Sequence, residues 1–162
     1  MLLSGFLEKY PGVKRMAIME SNAGWLPQVL EECDKVFKLY RNERRAKVTR
    51  LPSEIFFERF SIAFEADEFA VFKQHEYFQN VGIWSSDTYH HDGADAWTAI
   101  HEMEKVRVPA EVQARLMGRN AARMYGIEQK MFVTDEPASY PRPDWFPKPA
   151  DIKKEFAPLI RG

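Results

Sequence analysis

Apolar residues along the chain fall into short blocks separated by polar turns, and the spacing within each block predicts an element. Leu2, Leu3, Phe6, Leu7 and Tyr10 share one face at helical spacing, so residues 2–10 are expected to form a short helix that stops at Pro11-Gly12. Residues 13–19 carry the apolar run Met16-Ala17-Ile18-Met19 and read as a strand, closed by the polar turn Glu20-Ser21-Asn22-Ala23-Gly24. Trp25, Leu26, Val29, Leu30, Cys33, Val36, Phe37 and Tyr40 then recur as one apolar stripe, which predicts a long amphipathic helix. Pro27 fits only in its first turn, where the missing N–H costs little, and the charged run from Arg41 to Lys47 ends it in solvent.

The second half repeats the theme. Leu51-Pro52-Ser53-Glu54 reads as a helix start with Ser53 as the N-cap. Residues 60–65 and 81–85 are the second and third strands, with a helix over 67–79 between them. Helices are expected over 94–106 and 109–125, the latter opened by Pro109 and followed by Gly126. Helix and strand therefore alternate, which argues for an α/β protein with a parallel sheet built of βα units. Two architectures compete, a small open sheet and a piece of a barrel. An open nucleotide-binding sheet should carry a phosphate loop, and neither G-x-G-x-x-G nor G-x-x-x-x-G-K-[ST] occurs.

Residues 131–162 differ in kind. They hold Pro137, Pro141, Pro143, Pro147, Pro149 and Pro158, six of the chain's ten prolines, and cannot form regular structure for most of their length. The expected organisation is a βα domain over 1–130 and a proline-rich irregular tail over 131–162, which wraps over a surface or a partner with Trp145 and Phe146 as anchors.

Composition narrows the function more than the fold. The formal net charge is −1, which removes any electrostatic case for a nucleic acid or an anionic membrane. Cys33 is the only cysteine, so no intrachain disulfide can form, consistent with a cytoplasmic protein. No apolar run approaches the ~18 residues of a membrane span. Met1-Leu2-Leu3-Ser4-Gly5 lacks the basic region and apolar core of a signal peptide.

Candidate chemistry follows from topology, because parallel α/β proteins bind substrates at the C-terminal ends of their strands. That rule selects Glu20 to Gly24, Glu65-Ala66-Asp67-Glu68, and Ser85-Ser86-Asp87-Thr88-Tyr89-His90-His91-Asp92. The third stretch is the richest in carboxylates and imidazoles, groups that serve as metal ligands or as general acids and bases. The plainer reading of such a cluster is a solvated loop with an Asx-turn or helix cap. Glu65 reads more simply as a cap for the next helix, His75 and His101 as surface residues, and Cys33 as a small buried hydrophobe. Trp25 and Trp84 read as core residues first and pocket walls second. No G-x-S-x-G elbow is present to support a serine hydrolase.

Four stretches together resemble the amidohydrolase-related family of metal-dependent TIM-barrel proteins, the branch that includes aminocarboxymuconate-semialdehyde decarboxylase and the resorcylate decarboxylases. Met19-Glu20-Ser21-Asn22-Ala23-Gly24-Trp25-Leu26-Pro27 is similar to the family's strand end before a helix opening W-L-P. Leu51-Pro52-Ser53-Glu54 followed by Ser61-Ile62-Ala63-Phe64-Glu65 resembles the segment leading into the penultimate strand. Trp84-Ser85-Ser86-Asp87-Thr88-Tyr89-His90 resembles the S-D-Y-P-H motif after the last strand, and Asn120-Ala121-Ala122-Arg123-Met124-Tyr125-Gly126 the closing helix.

The resemblance implies an incomplete (β/α) barrel of about three βα units, the C-terminal part of a metal-dependent hydrolase acting on a small organic molecule. A decarboxylase of the same fold and a degenerate or split domain without catalysis are the alternatives. It places Asp87 as metal ligand and catalytic carboxylate and His90 as a catalytic residue near the substrate mouth, with Glu20, Ser21 and Trp25 facing substrate. The implied cofactor is a divalent metal, zinc first, in the complete barrel, with none held tightly by this chain alone. Two departures stand out. Ser21 falls where the decarboxylases carry a histidine, and the H-x-H pair of the family's first strand occurs nowhere here. A full barrel needs ~250 residues and eight strands. The expected partner is therefore the missing N-terminal half of the barrel, or another copy of this chain.

Overall fold

The computed structural model describes residues 1–43, 48–88, 90, 91, 93–128 and 144. The proline-rich tail expected over 131–162 lies outside the described residues apart from Asp144. Three short strands form one parallel sheet in the order β1-β2-β3, with β1 at Met16–Ile18, β2 at Phe60–Phe64 and β3 at Gly82–Trp84. Met16 pairs with Phe60 and Ile62 with Gly82, so all three strands point the same way. The βα alternation read from the sequence is present, and among the described residues no helix is long and apolar enough to cross a membrane.

Because side chains alternate across a strand, one face of the sheet carries Met16, Ile18, Phe60, Ile62 and Phe64, and the other Ala17, Ser61, Ala63 and Ile83. The bulky face packs on the helices. Leu26 and Leu30 from α2 (Leu26–Tyr40), Phe56 from α3 (Pro52–Arg59) and Phe72 from α4 (Phe69–Lys73) join Phe78 and Leu116 in the buried core. β2 is buried at all five positions, as expected for the central strand of a parallel sheet.

Four local expectations need correction. The first helix is a single turn, α1 (Phe6–Lys9), because Gly5 sits in the left-handed region at φ 72° and breaks the run before it. Ser53 is not an N-cap: α3 starts at Pro52, and Ser53 instead donates its N–H and hydroxyl to the Asp34 carboxylate of α2, at 2.9 and 2.6 Å. The helix expected over 67–79 is broken at Gln74 into α4 and α5 (His75–Phe78), where His75 Nδ1 engages the Phe72 carbonyl at 3.0 Å and competes with the main chain. His75 and His101, expected on the surface, are half-buried.

After β3 come α6 (Ala96–Lys105), capped by the Asp95 carboxylate on Thr98 N–H at 2.8 Å, and a longer helix with an irregular centre. That helix starts as α7 (Ala110–Ala114), passes through a π-helical turn at Arg115–Arg119 and continues as α8 (Asn120–Tyr125), ending on left-handed Gly126. The π turn aims Asn120 at the sheet. Asn120 is 3% exposed, and its Nδ2 donates to the carbonyls of Gln79 and Gly82 at 2.9 and 2.8 Å. Gly82 is needed there, since a Cβ would come within 2.8 Å of Leu116 Cδ2 and 3.1 Å of the Phe78 carbonyl.

Candidate active-site cleft

Parallel strands deliver their C-terminal ends to one side, and the three turns that follow β1, β2 and β3 meet there. Glu20, Ser21 and Asn22 after β1, Glu65 and Glu68 after β2, and Ser85 and Asp87 after β3 line one shallow cleft open to solvent. Three non-glycine residues in this cleft, Glu20, Asn22 and Asp87, adopt left-handed backbone at φ 50°, 54° and 46°. Asparagine and aspartate tolerate that conformation through local hydrogen bonds, whereas glutamate gains no such help. Strain of this kind persists only where neighbouring structure enforces it.

One carboxylate does much of the enforcing. Glu68 Oε2 accepts the N–H groups of Ala23 and Gly24 at 2.6 and 3.1 Å, and Oε1 accepts the N–H of Glu65 at 3.0 Å. It thereby ties the turn after β1 to the turn after β2. Sequence reading selected the stretch containing Glu68 without giving that residue a role. The available signal was the pair of small residues Ala23-Gly24, whose N–H groups a carboxylate can approach without steric conflict. Glu65 does not cap α4, which has no side-chain cap.

The loop after β3 is closed by main-chain bonds from Ala94 to the Ser86 carbonyl and from His90 to the Asp87 carbonyl, both 3.0 Å. Gly93 fits beneath it only because it lacks a side chain, as a Cβ would stand 2.6 Å from the Asp87 carbonyl oxygen. His90 Nδ1 lies 3.1 Å from Asp87 Oδ2, and the His90 and His91 rings are 4.4 Å apart between centroids. The carboxylate thus orients the His90 ring through one imidazole nitrogen, as acid–base histidines are often oriented.

The structure brings together Glu20, Ser21 and Asp87, with His90 joined through Asp87. Trp25 stands apart. Its Nε1 donates to the Ser21 carbonyl at 2.9 Å, while its ring lines an apolar groove with Ile18, Leu26 and Cys33. Asp67 is exposed and outside the cleft lining.

The donors do not fit a metal centre. Among the described residues no three His, Cys, Asp or Glu side chains are grouped closely enough to hold an ion, and the Glu68 carboxylate is already committed to three N–H groups. A catalytic zinc needs three protein ligands.

No protein-family model matches the sequence. No curated protein matches it either. Among solved structures, the chain is similar to 5-carboxyvanillate decarboxylase LigW from Sphingomonas paucimobilis, with a TM-score of 0.60 and 22% identity. The match covers 78% of this chain and 38% of that one, so the chain spans well under half the length of the structure it resembles. The described residues thus share their fold with one part of a decarboxylase.

Proposed function

We propose that this chain forms the C-terminal part of an amidohydrolase-related (β/α) barrel enzyme that acts on a small carboxylated organic molecule, with decarboxylation favoured over hydrolysis. The observation that carries the reading is the convergence of three parallel strand ends on one carboxylate-lined cleft, with backbone strain at Glu20, Asn22 and Asp87. The likeness to a decarboxylase favours loss of CO2 over amide hydrolysis. In this reading Glu20 and Ser21 contact the substrate and Trp25 braces Ser21 through its carbonyl. Asp87 holds the His90 ring, which delivers a proton to the carbon that gives up its carboxylate as the C–C bond breaks. A divalent ion in a whole barrel, zinc first, would need its other ligands from strands outside this chain, and Asp87 is the residue here that would reach it.

The test pairs activity with assembly. The chain is assayed for CO2 release from aromatic carboxylates, 5-carboxyvanillate included, alone and co-expressed with the product of the coding sequence immediately upstream. CO2 release only in the co-expressed sample, abolished by Asp87→Ala, is the expected outcome. Amide hydrolysis without CO2 release would favour a hydrolase. Stoichiometric zinc or manganese on the isolated chain, lost in Asp87→Ala, would overturn the partial-barrel reading.

A further inference from the structure

A second cavity lies at the opposite end of the sheet, where no residue of the cleft reaches. It has an empty volume of about 610 Å³ open to solvent, and Lys14 and Arg15 before β1, Arg59 and Ser61 at the base of β2, and Arg123 on α8 line it. Four cations on one cavity do not follow from composition, because the whole chain carries a net charge of −1. The one carboxylate there, Glu58, is committed to Arg50 and Arg59, and its pKa is held below the ordinary glutamate value chiefly by the Arg50 hydrogen bond.

The cations differ in how they are held. Arg59 Nη1 is anchored on the carbonyls of Leu7 and Val13 at 3.0 and 3.4 Å, and Arg123 on the carbonyl of Asn80. Lys14 and Arg15 have no ion-pair partner among the described residues. Gly126 keeps room for the Arg15 guanidinium, since a Cβ at that position would stand 2.9 Å from Nη1. Ser61 is the separate clue. It is 6% exposed and lines the cavity. A hydroxyl on the cavity wall can donate to a ligand oxygen there.

We propose that this basic cavity binds a phosphate group, as the free ion or as a phosphate ester, with Arg15 and Lys14 supplying charge and Ser61 a hydroxyl donor. Donors arrive from the bases of two strands and from a helix, so they surround a ligand on several sides. That arrangement suits a tetrahedral dianion, whereas a planar carboxylate would leave positive charge unbalanced.

The test is calorimetric titration of the 162-residue chain with inorganic phosphate at low ionic strength, repeated with glycerol 3-phosphate and with acetate. One saturable phosphate site is expected, weakened roughly tenfold in Arg15→Gln and several-fold in Ser61→Ala, with the variants' circular dichroism unchanged. Lys38→Gln, on the exposed side of α2, should bind as the parent does. Tighter binding of glycerol 3-phosphate assigns the ligand as an ester, and equal binding assigns it as the free ion. The absence of saturable binding by the folded parent, equal affinity in Arg15→Gln, or displacement of phosphate by acetate at equal concentration would each overturn the proposal. None of these outcomes depends on the cleft, so the two readings fail separately.

Discussion

Glu68 shows how much one side chain can organise. Its carboxylate satisfies three main-chain N–H groups from two loops, and removing it leaves donors beside a half-buried turn. Glu68→Ala is expected to cost roughly 2 kcal/mol in urea unfolding, and Glu68→Gln about half as much, because an amide keeps one acceptor. Unchanged stability in Glu68→Ala would show that the loops are held by something else. Tyr77 offers a pH test. Burial raises its pKa above the ordinary tyrosine value, and Asp34 and Glu31 add to the shift. The folded state resists ionisation that the unfolded chain accepts, so stability is full below the ordinary tyrosine pKa and falls as pH rises through the raised one. Tyr77→Phe should flatten that alkaline decline in thermal unfolding scans. An unchanged decline would assign it to other groups.

Elements were legible where hydrophobic spacing alone decided them. The three strands and the long α2 lie where the pattern placed them, because an apolar run or a stripe can be buried in only one way. The breaks were illegible. Gln74 interrupts a continuous helical pattern because His75 reaches a carbonyl, and no spacing rule records that. The N-terminus of α3 is satisfied from α2 by Asp34, a contact that is long-range in sequence. In the cleft, Asp87 and Glu20 were reachable from strand ends, but Glu68 acts through main-chain groups and carries no motif. The π turn was likewise invisible, and it leads to a prediction. A π turn holds one residue more than an α turn and keeps the flanking helices in register. Deleting Gly118, whose added Cβ would meet nothing within 4 Å, should let the turn close as α-helix with Asn120 still on the Gln79 and Gly82 carbonyls. Deleting exposed Lys35 from regular α2 rotates everything beyond it by about 100°. Melting temperatures should therefore separate the two, with the Gly118 deletion near the parent and the Lys35 deletion well below it.

At the scale of the molecule, the sheet ends in two edge strands, β1 and β3, with Met19 exposed just beyond β1. Open edges pair with other chains, and a lysine at such a position opposes this. The chain is expected to self-associate with rising concentration in sedimentation velocity, and Met19→Lys to shift it toward the monomer. A monomer at every concentration would show that the edges are already protected. The strand order carries a different consequence, one of timing. Each strand pairs only with the next one in sequence, so no early segment waits for a late one before it can begin to form sheet. On the ribosome, β1 and β2 can join as soon as Phe64 has emerged, and β3 adds to a surface already made. The cleft comes later, because Asp87 is set only after Gly93 and Ala94 have closed their loop. Asn120 locks the base of β3 later still. Synthesis therefore runs from scaffold to cleft, and a chain halted with Gly93 still inside the ribosome but β3 already emerged would carry a paired sheet with the loop after β3 unmade.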